Sequence, residues 1–322
     1  MKIRRIATTL GNSDKVIEKK TCTITPILLN GVPCRLYKPS EVKNDCLIIY
    51  IHGGGYCVYN AKAYDYIVEE IINNINCYAI SIDYTLAPTK YFPSPIMECW
   101  SVIEEIASKN NNLLKDISID KVVLMGDSAG GNATAVLTQK AAQTYEYRHF
   151  FKGHVLIYPY LGSWDFNSES VKSYNDYPLF SVLSPEMMAE FILIYLGVKA
   201  SSENLNMILK SDSMKGNFDE TSELSKFNDN IELSPILASD SILKKLPKSL
   251  TIIANYDILK DQGILYYERM KKVQPTNNNN DDKHSIKIFD KLTHGEINTS
   301  YLAANRVVLY ICQWLKEAKI IE

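Results

Sequence analysis

Ser128 sits at the centre of Gly126-Asp127-Ser128-Ala129-Gly130-Gly131, between a strand-like run, Lys121 to Met125, and an alanine-rich stretch, Asn132 to Leu137. A Gly-x-Ser-x-Gly pentapeptide in that setting specifies a very tight strand-to-helix turn. Such a turn lifts the serine hydroxyl above a sheet edge and aims a helix N-terminus at whatever binds there. A hydroxyl alone is a weak nucleophile. It needs a base, the base needs an orienting group, and the tetrahedral oxyanion needs hydrogen-bond donors. The chemistry this predicts is acyl transfer through Ser128.

In an open α/β sheet those parts come from loops that follow strands, at the C-terminal edge. Of the five histidines, His149 and His154 lie just before or in a strand, and His284 precedes one. His52 and His294 follow strands. His52 opens the glycine run Gly53-Gly54-Gly55 and is expected to anchor that loop. His294, in Leu292-Thr293-His294-Gly295, is the expected base. The loop after Leu250 to Ala254 offers Asp257 and Asp261. Asp257 lies nearer the strand end and is the expected orienting acid, while Asp261 is expected to cap the next helix or pair with it. The order Ser128, Asp257, His294 is the α/β-hydrolase order, unlike that of the chymotrypsin or subtilisin arrangements. Backbone N–H groups of the glycine run, with that of Ala129, offer three donors for an oxyanion.

These parts need a scaffold, and the chain alternates strand and helix over most of its length. The spacing predicts an antiparallel pair, Thr23 to Leu29 and Val32 to Lys38, turned at Asn30-Gly31. It then predicts strands at Cys46 to Ile51, Cys77 to Ile82, Val122 to Met125, His154 to Tyr158, Leu250 to Ala254 and Ser285 to Phe289. Helical spacing marks Tyr66 to Ile75, Pro95 to Ala107, Gly263 to Lys272 and Thr299 to Lys316. The fold class expected is α/β: a mostly parallel, doubly wound sheet in one domain over residues 1–322. Residues 159–235 break the rhythm. They contain Ser184-Pro185-Glu186, a helix-start signature, then a run apolar on nearly every side that Gly197 should end. We expect this insertion to form a helical cap, with extra packed helices as the alternative. Residues 1–22 are expected to be a reduced N-terminal cap segment, and Asn277 to Asp282 a solvated loop.

Composition excludes some classes. The 322 residues are 46% hydrophobic and 22% charged, with a net charge of −2. That balance suits a globular enzyme and gives no basis for nucleic-acid binding. No apolar run reads as a signal peptide or membrane span. The seven cysteines are scattered and odd in number, which fits buried free thiols in a reducing, cytoplasmic setting, with neither disulfides nor metal ligands.

Five segments together carry a resemblance: His52-Gly53-Gly54-Gly55-Tyr56, Asp83 to Pro88, Gly126 to Gly131, Tyr256 to Gly263, and Thr293-His294-Gly295. The chain resembles the hormone-sensitive-lipase group of serine esterases over roughly residues 23–316. The resemblance implies an α/β-hydrolase fold, carboxylic-ester hydrolysis and no cofactor. It puts the oxyanion donors on Gly54, Gly55 and Ala129, leaving Gly53 to the turn. Two departures stand out. Thr85 and Thr89 occupy positions where the group carries charged residues, so a surface pairing is expected to be lost. Tyr59 replaces a small residue and is expected to narrow the pocket. Candidate substrate-binding residues are Tyr56, Tyr59, Met187, Met188 and Phe191, with Trp164, Phe166 and Tyr177 as further aromatics nearby. The substrate expected is a small to medium apolar acyl or aryl ester. Lipase, amidase or thioesterase action on the same triad is the alternative. A non-catalytic receptor on this fold is disfavoured by the presence of His294. The C-terminal helix and the edge strands leave room for a homodimer.

Overall fold

The computed structural model describes residues 15–108, 111–115, 117–118, 120–177, 181–274 and 283–322. The loop expected at 277–282 and most of the expected N-terminal cap segment lie outside them. Ile17–Glu18 (β1), Cys22–Leu29 (β2) and Val32–Pro39 (β3) form an antiparallel edge. Asn30 and Gly31 both turn with positive φ, 45° and 77°, as a two-residue hairpin between twisted strands requires. Five of the next six strands are Leu47–Ile51 (β4), Tyr78–Ile82 (β5), Val122–Asp127 (β6), Phe151–Ile157 (β7) and Lys248–Tyr256 (β8). The sixth is His284–Thr293 (β9). The spatial order is β1-β2-β3-β5-β4-β6-β7-β8-β9. From β5 to β9 every pairing is parallel.

Parallel strands need crossover helices, and these cover both faces. Helices Asp65–Ile75 (α1), Ser94–Ser108 (α2) and Ala129–Gln143 (α3) come first. Between β7 and β8 lie Glu169–Lys172 (α4), Pro185–Leu196 (α5), Ser202–Leu209 (α6) and Asp240–Leu243 (α7). Lys260–Lys272 (α8) and Tyr301–Glu317 (α9) follow β8 and β9. α1 and α9 bury one face of the sheet: Ile67, Ile71, Val307 and Ile311 pack on Ile48, Tyr50, Val123 and Val155. α2 and α3 bury the other against Ile49, Ile51 and Leu124. The central strands are buried on both faces and read as continuous apolar runs; all five residues of β4 are inaccessible.

The all-apolar run in the insertion is α5, with the ends its sequence dictates. Ser184 Oγ accepts the Met187 N–H, Pro185 starts the helix, and Gly197 ends it at φ 72°. Its residues pack into the same cluster as α2 and α3, which explains the lack of a polar face. Arg35 on β3 reaches α1 with a two-pronged grip on Asp65, at 2.6 and 2.7 Å.

Candidate active site

Ser128 is built by a turn with no slack. Its backbone sits at φ 54° and ψ −118°, a conformation that costs a non-glycine residue on the order of 1–3 kcal/mol. The turn is held because Ser128 N–H donates to Ile157 O on β7 (2.9 Å), while Ser128 O accepts from Asn132 N–H and Tyr160 N–H. Gly130 must be glycine: a Cβ there would stand 2.0 Å from Ile51 O. α3 therefore starts directly against the end of β4.

The partners arrive from the ends of β8 and β9. Ser128 Oγ–H donates to His294 Nε2 at 2.9 Å. His294 Nδ1 meets Asp257 Oδ2 at 2.7 Å, and Asp257 Oδ1 accepts the Leu259 N–H at 2.9 Å. Asp257 is inaccessible and His294 is 6% exposed, so the carboxylate lies in a low-dielectric setting where it holds one imidazole orientation. The β8–β9 ladder slips register between Ala254 and Tyr256 and makes its last pairing at Tyr256 and Thr293, just before Asp257 and His294. Gly295, at φ 73°, turns the chain after His294 into the Glu296–Asn298 turn.

The glycine run after β4 lies across the elbow. Gly53 N–H donates to Asp127 Oδ1 at 2.9 Å. Gly54 has φ 113° and lies so close to Val58 O that a Cβ would meet it at 2.2 Å. Gly54 O in turn accepts the N–H groups of Cys57 and Val58, closing the loop on itself. Gly54, Gly55 and Ala129 all line one cavity with Ser128 and His294. His52 is buried, with its ring stacked on Tyr84 at 4.3 Å and Nδ1 2.7 Å from Gly53 O. Burial holds its pKa down, so it serves as a neutral loop anchor.

The cavity has a volume of about 270 Å³ and a mostly apolar wall. Tyr56, Tyr59, Met187, Met188 and Phe191 all line it. Tyr56 is 2% exposed and fixed by its own contacts: its hydroxyl donates to Asn132 Oδ1 (2.7 Å) and its ring stacks on Tyr195 at 4.0 Å. Tyr59 stands at the rim, 48% exposed, edge-on to Tyr64. Three aromatic expectations are corrected. Trp164 is buried against Phe218, Phe166 is buried in the same cluster, and Tyr177 donates its hydroxyl to Ser170 O and Asp257 O. Among the described residues none of the three lines the cavity, since their side chains are taken up by these contacts. Tyr160, Leu183, Ile192 and Tyr195 line it in their place. Ile192 and Tyr195 follow Met188 at helical spacing on α5, a signal that could have found them.

Asp261 does not cap α8. Its Oδ2 accepts the Ser170 N–H at 2.7 Å, joining α4 to α8. Thr85 carries no charge to pair but is hydrogen-bonded. Thr85 donates through N–H and Oγ1 to Glu98, which also pairs with Lys90 Nζ at 2.6 Å. Among the described residues no cluster of His, Cys, Asp or Glu could hold a metal, and no helix is long and apolar enough to cross a membrane. All seven cysteines are free.

Comparison with known proteins matches the alpha/beta hydrolase fold over residues 48–221. Arylacetamide deacetylase of Rattus norvegicus is 30% identical over 285 residues, covering 77% of this chain and 70% of that protein. Neutral cholesterol ester hydrolase 1 of Mus musculus is 27% identical over 77% of this chain and 69% of its own length. Among solved structures, the esterase of Pyrobaculum calidifontis superposes with a TM-score of 0.72 at 25% identity. That match covers 92% of this chain and 85% of the other. An arylesterase gives 0.67 at 26% identity over 95% and 86%.

Proposed function

This chain belongs to the alpha/beta hydrolase fold family, and on that premise we propose that it is a serine carboxylesterase with Ser128 as nucleophile, His294 as base and Asp257 as orienting acid. The observation that carries the reading is the unbroken relay from Ser128 Oγ through His294 to Asp257, at 2.9 and 2.7 Å. Arylacetamide deacetylase and the esterases among its relatives support the same bond type.

The geometry is compatible with each step of the proposed reaction. His294 Nε2 takes the Ser128 proton as Oγ attacks the ester carbonyl. N–H groups of Gly54, Gly55 and Ala129 receive the oxyanion; losing one such donor costs about 10²–10³ in kcat. Asp257 holds the tautomer in which Nε2 is free to accept, and stabilises the imidazolium. The imidazolium then protonates the leaving alcohol. Water enters, loses its proton to His294, and releases the acid from Ser128.

Residues 159–235 act as the cap over this site, with α5 supplying its apolar wall through Met187, Met188 and Phe191. The cavity suits small to medium acyl or aryl esters, and its wall discriminates weakly between neighbours in a series. Seven free thiols suit a reducing, cytoplasmic setting. The edge strand β9 and the exposed Tyr301, Leu302 and Leu309 of α9 offer a face for a homodimer, which sedimentation would reveal. Hydrolysis of p-nitrophenyl esters of increasing acyl length, with Ser128→Ala as control, tests the central reading. Turnover should vanish in the variant; equal rates in both proteins would sink the mechanism.

A further inference from the structure

Asp127, the residue just before the nucleophile, is a buried carboxylate that the acyl-transfer steps leave unused. We propose that Asp127 is a positioning residue that ties the oxyanion loop, the nucleophile elbow and the His294 loop into one hydrogen-bonded unit, its negative charge supporting the His294 imidazolium. The proposal rests on the reading of Ser128 and His294 as nucleophile and base.

Asp127 is 1% exposed and ends β6. Oδ1 accepts from Gly53 N–H at 2.9 Å and from Tyr50 OH at 3.1 Å; Oδ2 accepts from Tyr64 OH at 3.0 Å. Every partner is a donor, which is the surrounding an ionised carboxylate needs. The third contact has a fixed direction. Asn298 Nδ2 donates to Tyr64 OH at 2.9 Å, so the tyrosine proton points to Asp127. Asn298 lies four residues past His294, in the turn that follows it. One carboxylate therefore touches the loop of Gly54 and Gly55, neighbours Ser128 in the chain, and reaches the His294 loop through Tyr64.

An apolar side chain here would leave all three donors unpaired, and an amide would turn its Nδ2 toward at least one of them, so the carboxylate is matched to its site. Its charge has a second use because His294 becomes cationic during the reaction. The groups facing Asp127 are Tyr50 from β4, Tyr64 and Tyr66 from around α1, Tyr158 after β7, Tyr84 after β5, and His294. Those facing His294 are Asp257, the Tyr158 ring at 4.8 Å, and Asp127. Burial pushes each of these tyrosines up, so they stay neutral near pH 7. Asp127 and Asp257 are then the two carboxyl groups around the imidazolium. Burial raises the Asp127 carboxyl above its ordinary range, and the Tyr64, Tyr50 and Gly53 donors, with His294, offset part of that rise.

The test is the pH profile of kcat/KM for a p-nitrophenyl ester, measured for the wild type and for Asp127→Asn, which keeps the shape and removes the charge. We expect kcat to fall about tenfold with KM within about twofold. The acid limb should move to lower pH, because removing a nearby negative charge disfavours a cation. Tyr64→Phe keeps the charge but cuts the link to Asn298; it should lower kcat several-fold and leave the limb in place. An acid limb unmoved in Asp127→Asn, or an unchanged kcat in Tyr64→Phe, overturns the proposal. Should Asp127→Asn lack the near-UV CD signal of a packed core, the kcat of Tyr64→Phe decides alone. Loss of turnover in Ser128→Ala checks the underlying reading separately, so the two failures are told apart.

Discussion

Replacing Gly130 by alanine puts a methyl carbon where there is no room, and the size of the effect follows from two distances. The new Cβ would lie 2.0 Å from Ile51 O and 2.7 Å from His52 O, whereas ordinary contact begins at 3.4 Å. Both atoms are backbone, on the inaccessible end of β4, so no side chain can swing away. Either α3 or the end of β4 must shift by about 1.4 Å, the difference between contact and overlap. Overpacking of this kind costs about 1–3 kcal/mol or more, and the gain in helix propensity from Gly to Ala returns only about 1 kcal/mol. We expect a net loss of about 2 kcal/mol in urea unfolding with an unchanged m-value. Activity should suffer more. α3 carries Ala129 and follows Ser128, while β4 leads into Gly54 and Gly55. A displacement of about 1 Å between the proposed nucleophile and the proposed oxyanion donors costs on the order of 10² in rate. The assay is kcat/KM on p-nitrophenyl butyrate beside Gly131→Ala, whose Cβ would meet the Pro159 side chain at 2.9 Å. Gly130→Ala with wild-type stability and turnover would refute the reasoning, because it would mean that the elbow has slack.

His154 and His284, on adjacent positions of the β7–β8–β9 row through Ser249, are both held down to about 3 by burial. Between about pH 6.5 and 3 the unfolded chain binds protons that the native state does not, so as the pH is lowered stability should drop by about 1.4 kcal/mol per unit for each histidine. Urea midpoints from pH 7.5 to 5 read this, and His154→Leu should flatten the slope. Phe191→Ala removes the ring that a Cβ on Gly55 would meet at 2.7 Å. It should shift acyl preference toward longer chains by about tenfold in relative kcat/KM, measured across acetate to octanoate. Arg35→Met leaves Asp65 without its buried cation and should cost about 3 kcal/mol in thermal or urea unfolding with little change in kcat, since neither residue lines the cavity.

The parts of the fold that were readable from sequence are those whose causes are local. The strand before Ser128 and the glycines around it specify an elbow within a dozen residues. Chain order then assigns the candidate base and acid, because loops after parallel strands share one edge. Local signals also gave α5 its ends: Ser184, Pro185 and Gly197 act within one turn of themselves. What escaped reading depends on contacts between distant segments. Trp164 and Phe166 are apolar aromatics in an insertion without period, and nothing in their neighbourhood says which way they face. They face inward. Asp261 looks like a first-turn capping acid, but Ser170, on a helix from the insertion, takes its carboxylate. Asp127 could not be singled out because its donors, Tyr50, Tyr64 and Gly53, come from separate elements more than sixty residues earlier.

The floor and the roof of the cavity differ in kind. The floor is made of backbone: a strained Ser128, a glycine against the Ile51 carbonyl, a loop whose carbonyl is bonded to its own amides, and a carboxylate beneath it with three donors. A Cβ added at Gly130 would stand 2.0 Å from the Ile51 carbonyl, a clash with backbone that no choice of rotamer relieves, so small changes there are felt in the chemistry. The roof is made of side chains, chiefly Met187, Met188 and Phe191 from one helix. Methionine and phenylalanine swap for other apolar residues at a cost of about 1.5 kcal/mol or less where volume is kept. A substitution in the roof should therefore alter which ester is taken and leave the catalytic step nearly intact, while one in the floor should lower turnover for every ester alike. The two classes are separable in a single experiment that ranks variants by the ratio of rates on two acyl lengths as well as by rate itself.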